Sequence, residues 1–127
     1  ALPISRGGRF MKKIAILRCL ESSASCTGAS CLRAMYERKY DYAQYDKEEI
    51  QLMAMWTCNG CGDSMLANQE GIAKKIERIK KMDVDVLHLT SCTFKKNDSG
   101  ERVLCSVIKN IADELKKSGI TIVKGYD

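Results

Sequence analysis

The chain has 127 residues, of which 45% are hydrophobic and 29% are charged, and it carries a net charge of +5. These values are typical of one globular domain that is long enough to bury its own core. No apolar run approaches the ~18 residues that a membrane-spanning helix needs, and the mild positive charge does not indicate a nucleic-acid-binding surface.

The first ten residues differ from the rest of the chain. Residues 1–10 lack the periodicity of a helix or a strand and precede Met11, which we interpret as the natural start. They have no apolar centre and therefore do not resemble a signal peptide. We interpret them as an artificial leader or a disordered arm, and we expect residues 11–127 to form a single domain.

Short apolar runs then alternate with amphipathic segments. The continuous run over residues 14–17 predicts a strand that is buried on both faces, and residues 29–36 predict a helix. A polar, tyrosine-rich surface connection is expected over residues 39–47. Residues 50–56 predict a second strand, which leads into the motif T-C-N-G-C-G-D at residues 57–63.

Isoleucines at helical spacing predict a second helix over residues 68–82. Its lysines, Lys75 among them, are expected mostly on the solvated face. Residues 85–90 predict a third strand, and residues 91–100 are expected to form a polar loop.

The last part of the chain predicts one more helix and one more strand. Asp98, with Glu101 three residues later, resembles a capping box at the start of the helix. Gly119 is expected to end this helix, and residues 120–123 predict a fourth strand. The order β-α-β-α-β-α-β predicts a three-layer α/β sandwich with a mostly parallel sheet of about four strands, of flavodoxin or Rossmann type.

The cysteine content is the unusual feature of the composition. There are seven cysteines, an odd number, and no secretory signal precedes them. A complete disulfide framework is therefore disfavoured, and metal or thiol chemistry in a reducing, cytoplasmic compartment becomes the better interpretation.

The predicted topology gathers the cysteines. In a parallel sheet the carboxyl ends of all strands open on one edge, where ligands bind. Four cysteines directly follow predicted strands, and three lie in the loop or first turn after a strand or near the start of the last helix. The four that follow strands are Cys19, Cys58, Cys61 and Cys92, and the other three are Cys26, Cys31 and Cys105.

Thiolates at such an edge suit soft metals. They select zinc, copper(I) or iron–sulfur clusters, and both tetrahedral zinc and a cubane cluster take four cysteines. Cys19, Cys58, Cys61 and Cys92 would supply these four ligands from three loops. Such a centre would serve metal storage, delivery or sensing, with a protein partner for metal or electron transfer and no membrane or nucleic-acid partner.

Two other classes of function stay open. A C-x-x-C pair between a strand and a helix is also a redox signature, so Cys58 and Cys61 could be the catalytic pair of a thiol–disulfide oxidoreductase. Free cysteines are also among the most buried residues, and the chain could be an interaction domain with inert thiols.

Several other residues are secondary candidates at the edge. Cys26, Cys31, Cys105 and His88 are secondary metal ligands, although His88 lies inside the third strand and is interpreted first as a core histidine. Lys95 and Lys96 follow Cys92 and either lower the pKa of its thiol or are ordinary loop lysines.

The ordered motifs resemble a known family. They are C-x6-C-x4-C at residues 19–31, T-C-x-G-C at 57–61, H-L-x-S-C at 88–92, and Cys105. Together they resemble the CGGC domain family over nearly the whole chain from residue 11. That family is described as metal-binding because of its many cysteines and histidines.

The resemblance implies that Cys58, Gly60 and Cys61 are the signature residues and that the other five cysteines accompany them. Asn59 stands where the family usually has glycine. Asparagine tolerates a left-handed backbone better than most residues, so the turn is expected to survive. His88 is the one histidine of the chain, which gives a poorer histidine content than the family description implies.

Overall fold

Strand β1 (Met11–Arg18) lies inside the sheet, and its continuous apolar run explains why. Residues 14–17 have no solvent-exposed surface. The computed structural model describes residues 11–60 and 69–125. In these ranges β1 pairs in parallel with β2 (Glu49–Thr57) on one side and with β3 (Val86–Leu89) on the other.

Strand β6 (Thr121–Lys124) pairs in parallel with β3 and completes the four-stranded sheet, whose order is β2-β1-β3-β6. Helix α1 (Ala29–Glu37) packs on one face of this sheet, and helices α2 (Gln69–Lys80) and α3 (Ser106–Lys117) pack on the other. The predicted α/β sandwich with a parallel sheet is therefore confirmed.

The two faces of β1 contribute to two separate hydrophobic clusters. Ile14 and Ile16 pack with Met35 of α1, whereas Ala15 and Leu17 belong to the cluster formed by α2 and α3. This alternation follows from the period of two along a strand. It explains why the sequence of β1 is continuously apolar rather than alternating.

The expected surface connection over residues 39–47 is more ordered than its polarity indicates. Residues Tyr40–Tyr45 form a 3-10 helix, and two of its tyrosines, Tyr42 and Tyr45, are buried. Both rings contact the imidazole of His88 on β3. The tyrosine rings thus complete the core beside α1 and leave the charged residues of the segment outside.

The prediction for residues 91–105 was wrong. A 3-10 helix (Ser91–Thr93) is followed by an antiparallel hairpin of β4 (Phe94–Lys96) and β5 (Arg102–Leu104), and α3 begins only after its N-cap, Cys105. The supposed capping box at Asp98 and Glu101 lies in the hairpin turn.

The side chain of Asn97 explains this hairpin. Its Oδ1 accepts hydrogen bonds from the backbone N–H groups of Ser99 and Glu101, at 3.0 and 2.9 Å. Asparagine favours such turns because its side chain replaces a backbone acceptor. The Arg102 guanidinium stacks over Phe94 across the two strands, 5.3 Å from the ring centre.

In the described parts of the chain, no helix combines the length and the hydropathy required to cross a bilayer. The helices there have 12 residues at most, whereas a crossing takes about 20.

Candidate functional site

The strand order places a topological switch point between β1 and β3. The chain leaves β1 toward α1 on one face of the sheet and leaves β3 toward α3 on the other, so a crevice opens between the two strand ends. Cys19 directly follows β1, and Cys92 lies three residues beyond the end of β3. The sequence therefore places a cysteine on each side of this crevice.

A hydrogen bond joins the two sides. The backbone N–H of Cys19 donates to Sγ of Cys92 over 3.3 Å. The hydroxyl of Thr90 lies 2.9 Å from the same sulfur and 3.3 Å from the carbonyl oxygen of Leu17 on β1. The sulfur of Cys92 is thus held against the end of β1 rather than directed into solvent.

Cys58, at the end of β2, contacts the same loop from the opposite side. Its backbone N–H donates to the Arg18 carbonyl over 3.3 Å, and its Sγ accepts the Leu20 N–H over 3.4 Å. Only 3% of its surface is exposed. Consecutive amides of the β1 loop, those of Cys19 and Leu20, therefore hold sulfurs from the loops after β3 and β2.

The thiol of Cys19 itself faces hydrogen-bond donors. Lys95, carried by the hairpin, places Nζ 3.4 Å from Sγ of Cys19. Burial alone would raise the pKa of this thiol, but hydrogen bonds from the Ser22 backbone and hydroxyl, from Lys95 and from the Glu21 backbone lower it below the ordinary value. Burial likewise opposes the charge of Lys95, yet its contact with Cys19 leaves the pKa of Lys95 raised.

Both pKa shifts favour an ammonium–thiolate pair at the sheet edge. The sequence led us to consider Lys95 as a partner of Cys92, and the structure places it on Cys19 instead. The hairpin explains the difference, because it turns the chain after Thr93 back across the edge.

Lys75 of α2 reaches the other side of the site. Its ammonium donates to the Thr57 carbonyl over 2.7 Å and to Oδ1 of Asn59 over 2.6 Å. Burial lowers the pKa of Lys75, and the neighbouring Cys58 opposes this effect. The expectation that this lysine faces solvent was wrong, and a helical pattern of lysines alone could not single it out.

The left-handed residue in the turn after β2 is Gly60, whereas the sequence led us to expect Asn59 in this conformation. Gly60 has a φ of 89°, whereas Asn59 does not have a positive φ. Asn59 instead supplies the side-chain acceptor for Lys75. Cys61 lies outside the described residues, so its predicted place in the C-x-x-C pair stays a prediction.

The remaining described cysteines do not directly follow a strand of the parallel sheet. Cys26 is exposed, and its pKa is lowered by the Gly28 N–H and by Arg18. Cys31 lies in the first turn of α1 and is partly buried. Cys105 caps α3, and its N–H donates to the Thr93 carbonyl over 2.9 Å.

His88 is a core histidine, in line with its first interpretation from the sequence. It is 2% exposed, stacks on Tyr42 with ring centres 4.4 Å apart, and has Nε2 2.7 Å from the Tyr45 hydroxyl. Burial lowers its pKa to about 4. It lies among the residues that pack with α1, and its role as a secondary metal ligand stays a prediction.

The donor chemistry of the site fits a soft metal. Cys19, Cys58 and Cys92 bring three thiols to one edge, and N–H groups directed at sulfur stabilise the thiolate form. Over residues 11–60 and 69–125, however, no three cysteine, histidine or acidic side chains are already spaced to hold one ion. The complete ligand set with Cys61 therefore stays a prediction.

Comparison with known proteins identifies a family that the chain matches. A family model described as the CGGC domain matches residues 13–126 of the chain. The matched range includes all seven cysteines. No curated protein and no solved structure matches the chain significantly.

Proposed function

The chain belongs to the CGGC domain family, and on that premise we propose that its cysteine-rich sheet edge binds a soft metal, either zinc or an iron–sulfur cluster. The ligands in this proposal are Cys19, Cys58, Cys61 and Cys92. The observation that carries it is the pair of N–H···S contacts by which the loop after β1 holds the sulfurs of Cys58 and Cys92.

Each part of the site has a role in this proposal. The bound metal would supply a positive centre that keeps several thiolates together. The amides of Cys19 and Leu20 orient the neighbouring sulfurs, and the Lys95 ammonium offsets part of the negative charge of the thiolates. Hydrogen bonds of this kind to ligand atoms tune both the affinity and the redox potential of thiolate metal sites.

The test is the metal content of protein purified without oxygen. We expect about one zinc per chain with no visible absorption band, or iron and sulfide with a visible spectrum. The Cys58→Ser and Cys92→Ser variants should lose most of this metal. Cys26→Ser is the matched control, because Cys26 is exposed and its thiol is bonded locally to the Gly28 N–H.

Wild-type protein that contains no metal and takes up none from solution would contradict metal binding. A Cys26→Ser variant that loses as much metal as Cys58→Ser would contradict the proposed ligand set. A cytoplasmic location and a protein partner that receives metal or electrons form part of the same proposal, since thiols stay reduced in that compartment.

A second candidate is thiol–disulfide exchange by Cys58 and Cys61. The position of Cys58 between a strand end and the helix that follows favours it. One thiolate would attack a disulfide of a substrate protein, and the other would resolve the mixed disulfide. The substrate disulfide would gain two electrons and end as two thiols, and Cys58 and Cys61 would form a disulfide.

The same anaerobic preparation separates the two functions. Metal-free protein in which mass spectrometry finds a reversible Cys58–Cys61 disulfide would favour exchange. Stoichiometric metal that protects both thiols from labelling would favour the metal site.

A further inference from the structure

We infer that Lys75 is a positioning residue that fixes the turn around Cys58 by holding the residues on either side of it. The inference rests on the proposed metal site, whose ligand Cys58 lies in this turn. Lys75 touches none of the described cysteine sulfurs by hydrogen bond, and it acts through the backbone and the side chain next to Cys58.

The contacts of Lys75 bracket Cys58 in the sequence. One N–H of the ammonium reaches the carbonyl of Thr57, the residue before Cys58, and another reaches the side chain of Asn59, the residue after it. The N–H of Cys58 also donates to the carbonyl of Arg18, and its sulfur accepts the N–H of Leu20. A lysine contact on each side thus restricts the rotation of the peptide groups that aim this thiol.

The contacts also join two elements of the fold. Lys75 belongs to α2, whereas Thr57 is the last residue of β2. The ammonium therefore ties α2 to the end of β2 next to Cys58. A thiol that is already held in its binding position loses less freedom when it binds a metal, so fixing the backbone around Cys58 strengthens metal binding.

The neighbouring lysine shows that this arrangement is specific to position 75. Lys74 is largely exposed and pairs with Glu70, one turn earlier on the same helix, at 3.3 Å. Removing Lys74 changes the charge of α2 by the same amount without touching the turn. It is therefore a matched control for the effect of charge alone.

The experiment measures the affinity of reduced, metal-free protein for Zn²⁺ by competition with a colorimetric chelator. We expect Lys75→Met to bind Zn²⁺ roughly 10- to 100-fold more weakly, the range found when groups that orient metal ligands are removed. Lys75→Arg should restore part of the affinity, because a guanidinium can also donate to both oxygens. Lys74→Met should bind like the wild type.

A second readout follows the Cys58 thiol in the absence of metal. Alkylation of Cys58, measured by peptide mass spectrometry against the exposed Cys26, should be several-fold faster in Lys75→Met and unchanged in Lys74→Met. Loss of the lysine contacts would let the buried thiol leave its place on the Leu20 amide. A circular dichroism melt identifies any variant that is unfolded.

The outcomes separate the inference from the proposed function. If the wild type binds Zn²⁺ and Lys75→Met binds it equally well, the inference is wrong and the metal site stands. If the wild type binds no Zn²⁺, the zinc form of the proposed site is wrong, and the alkylation rate of Cys58 decides whether Lys75 positions the turn. Equal alkylation rates in the wild type and Lys75→Met would then overturn the inference as well.

Discussion

At the sheet edge, the contact between Lys95 and Cys19 shifts the pKa of both side chains. The residues lie 76 positions apart in sequence, and their side chains meet at 3.4 Å. The lowered pKa of Cys19 and the raised pKa of Lys95 both favour the charged pair. A thiolate is the form that binds metals, so this contact supports the proposed role of Cys19 as a metal ligand.

The low pKa of His88 leads to a prediction about the stability of the protein in acid. Its pKa of about 4 in the folded protein lies below the value of about 6.5 for an exposed histidine, because burial disfavours the imidazolium. The neutral ring therefore stabilises the fold fully above pH 6.5, and this contribution is lost as the pH falls toward 4. Between pH 7.5 and pH 5 the free energy of unfolding should drop by about 2 kcal/mol on account of His88 alone.

Urea unfolding of the wild type and of His88→Gln at the two pH values measures this drop. Glutamine can still bond to the Tyr45 hydroxyl but does not titrate in this range. The variant is expected to be less stable at pH 7.5 because it loses the stacking on Tyr42, and its stability should change less with pH. An equal pH dependence in both proteins would show that His88 does not titrate as the structure indicates.

The β4–β5 hairpin brings Lys95 to Cys19. The glycine in the turn of this hairpin leads to a further prediction. Gly100 has a φ of 81°, and a Cβ built there would meet no atom within 4 Å. Gly100→Ala should therefore cost only the strain of the left-handed backbone, about 1 kcal/mol in the free energy of unfolding. Urea denaturation measures this cost.

Ser99→Ala is the control for this turn. Ser99 is exposed and contributes its backbone N–H, which alanine keeps, to the Asn97 side chain. The free energy of unfolding of the Ser99→Ala variant should stay within about 0.5 kcal/mol of that of the wild type. A Gly100→Ala variant as stable as Ser99→Ala would mean that the turn does not require a left-handed residue.

At the scale of the whole molecule, the proposed metal joins the ends of three strands. Cys58, Cys19 and Cys92 follow β2, β1 and β3, which are neighbours in the sheet. Metal binding should therefore stabilise the native state, by about 4 kcal/mol when free metal exceeds the Kd a thousandfold. We predict that a chelator lowers the Tm of metal-loaded wild-type protein, as measured by calorimetry.

The Cys58→Ser variant tests the origin of this stabilisation. Its Tm should respond little to the chelator, whereas Cys26→Ser should respond like the wild type. A chelator effect of equal size in Cys58→Ser would place the stabilising metal elsewhere in the molecule.

The local pattern of the sequence determined most of the elements. Residues 14–17 predicted a doubly buried strand because a strand covered on both faces carries apolar residues on both, and the isoleucines at helical spacing predicted α2 because a helix buries one stripe. These signals extend over neighbouring residues only. The alternation of strands and helices predicted a parallel sheet. The parallel sheet in turn predicted one edge at which the cysteines gather.

Only the tertiary structure decided which groups meet at that edge. The order β2-β1-β3-β6 placed the Cys19 amide against the Cys92 sulfur, and the hairpin directed Lys95 to Cys19 rather than to Cys92. Likewise Lys75, one of several lysines on its helix, found two oxygen acceptors at the end of β2. Such contacts join residues far apart in sequence, and their distances depend on how whole elements pack, which no local pattern of residues encodes.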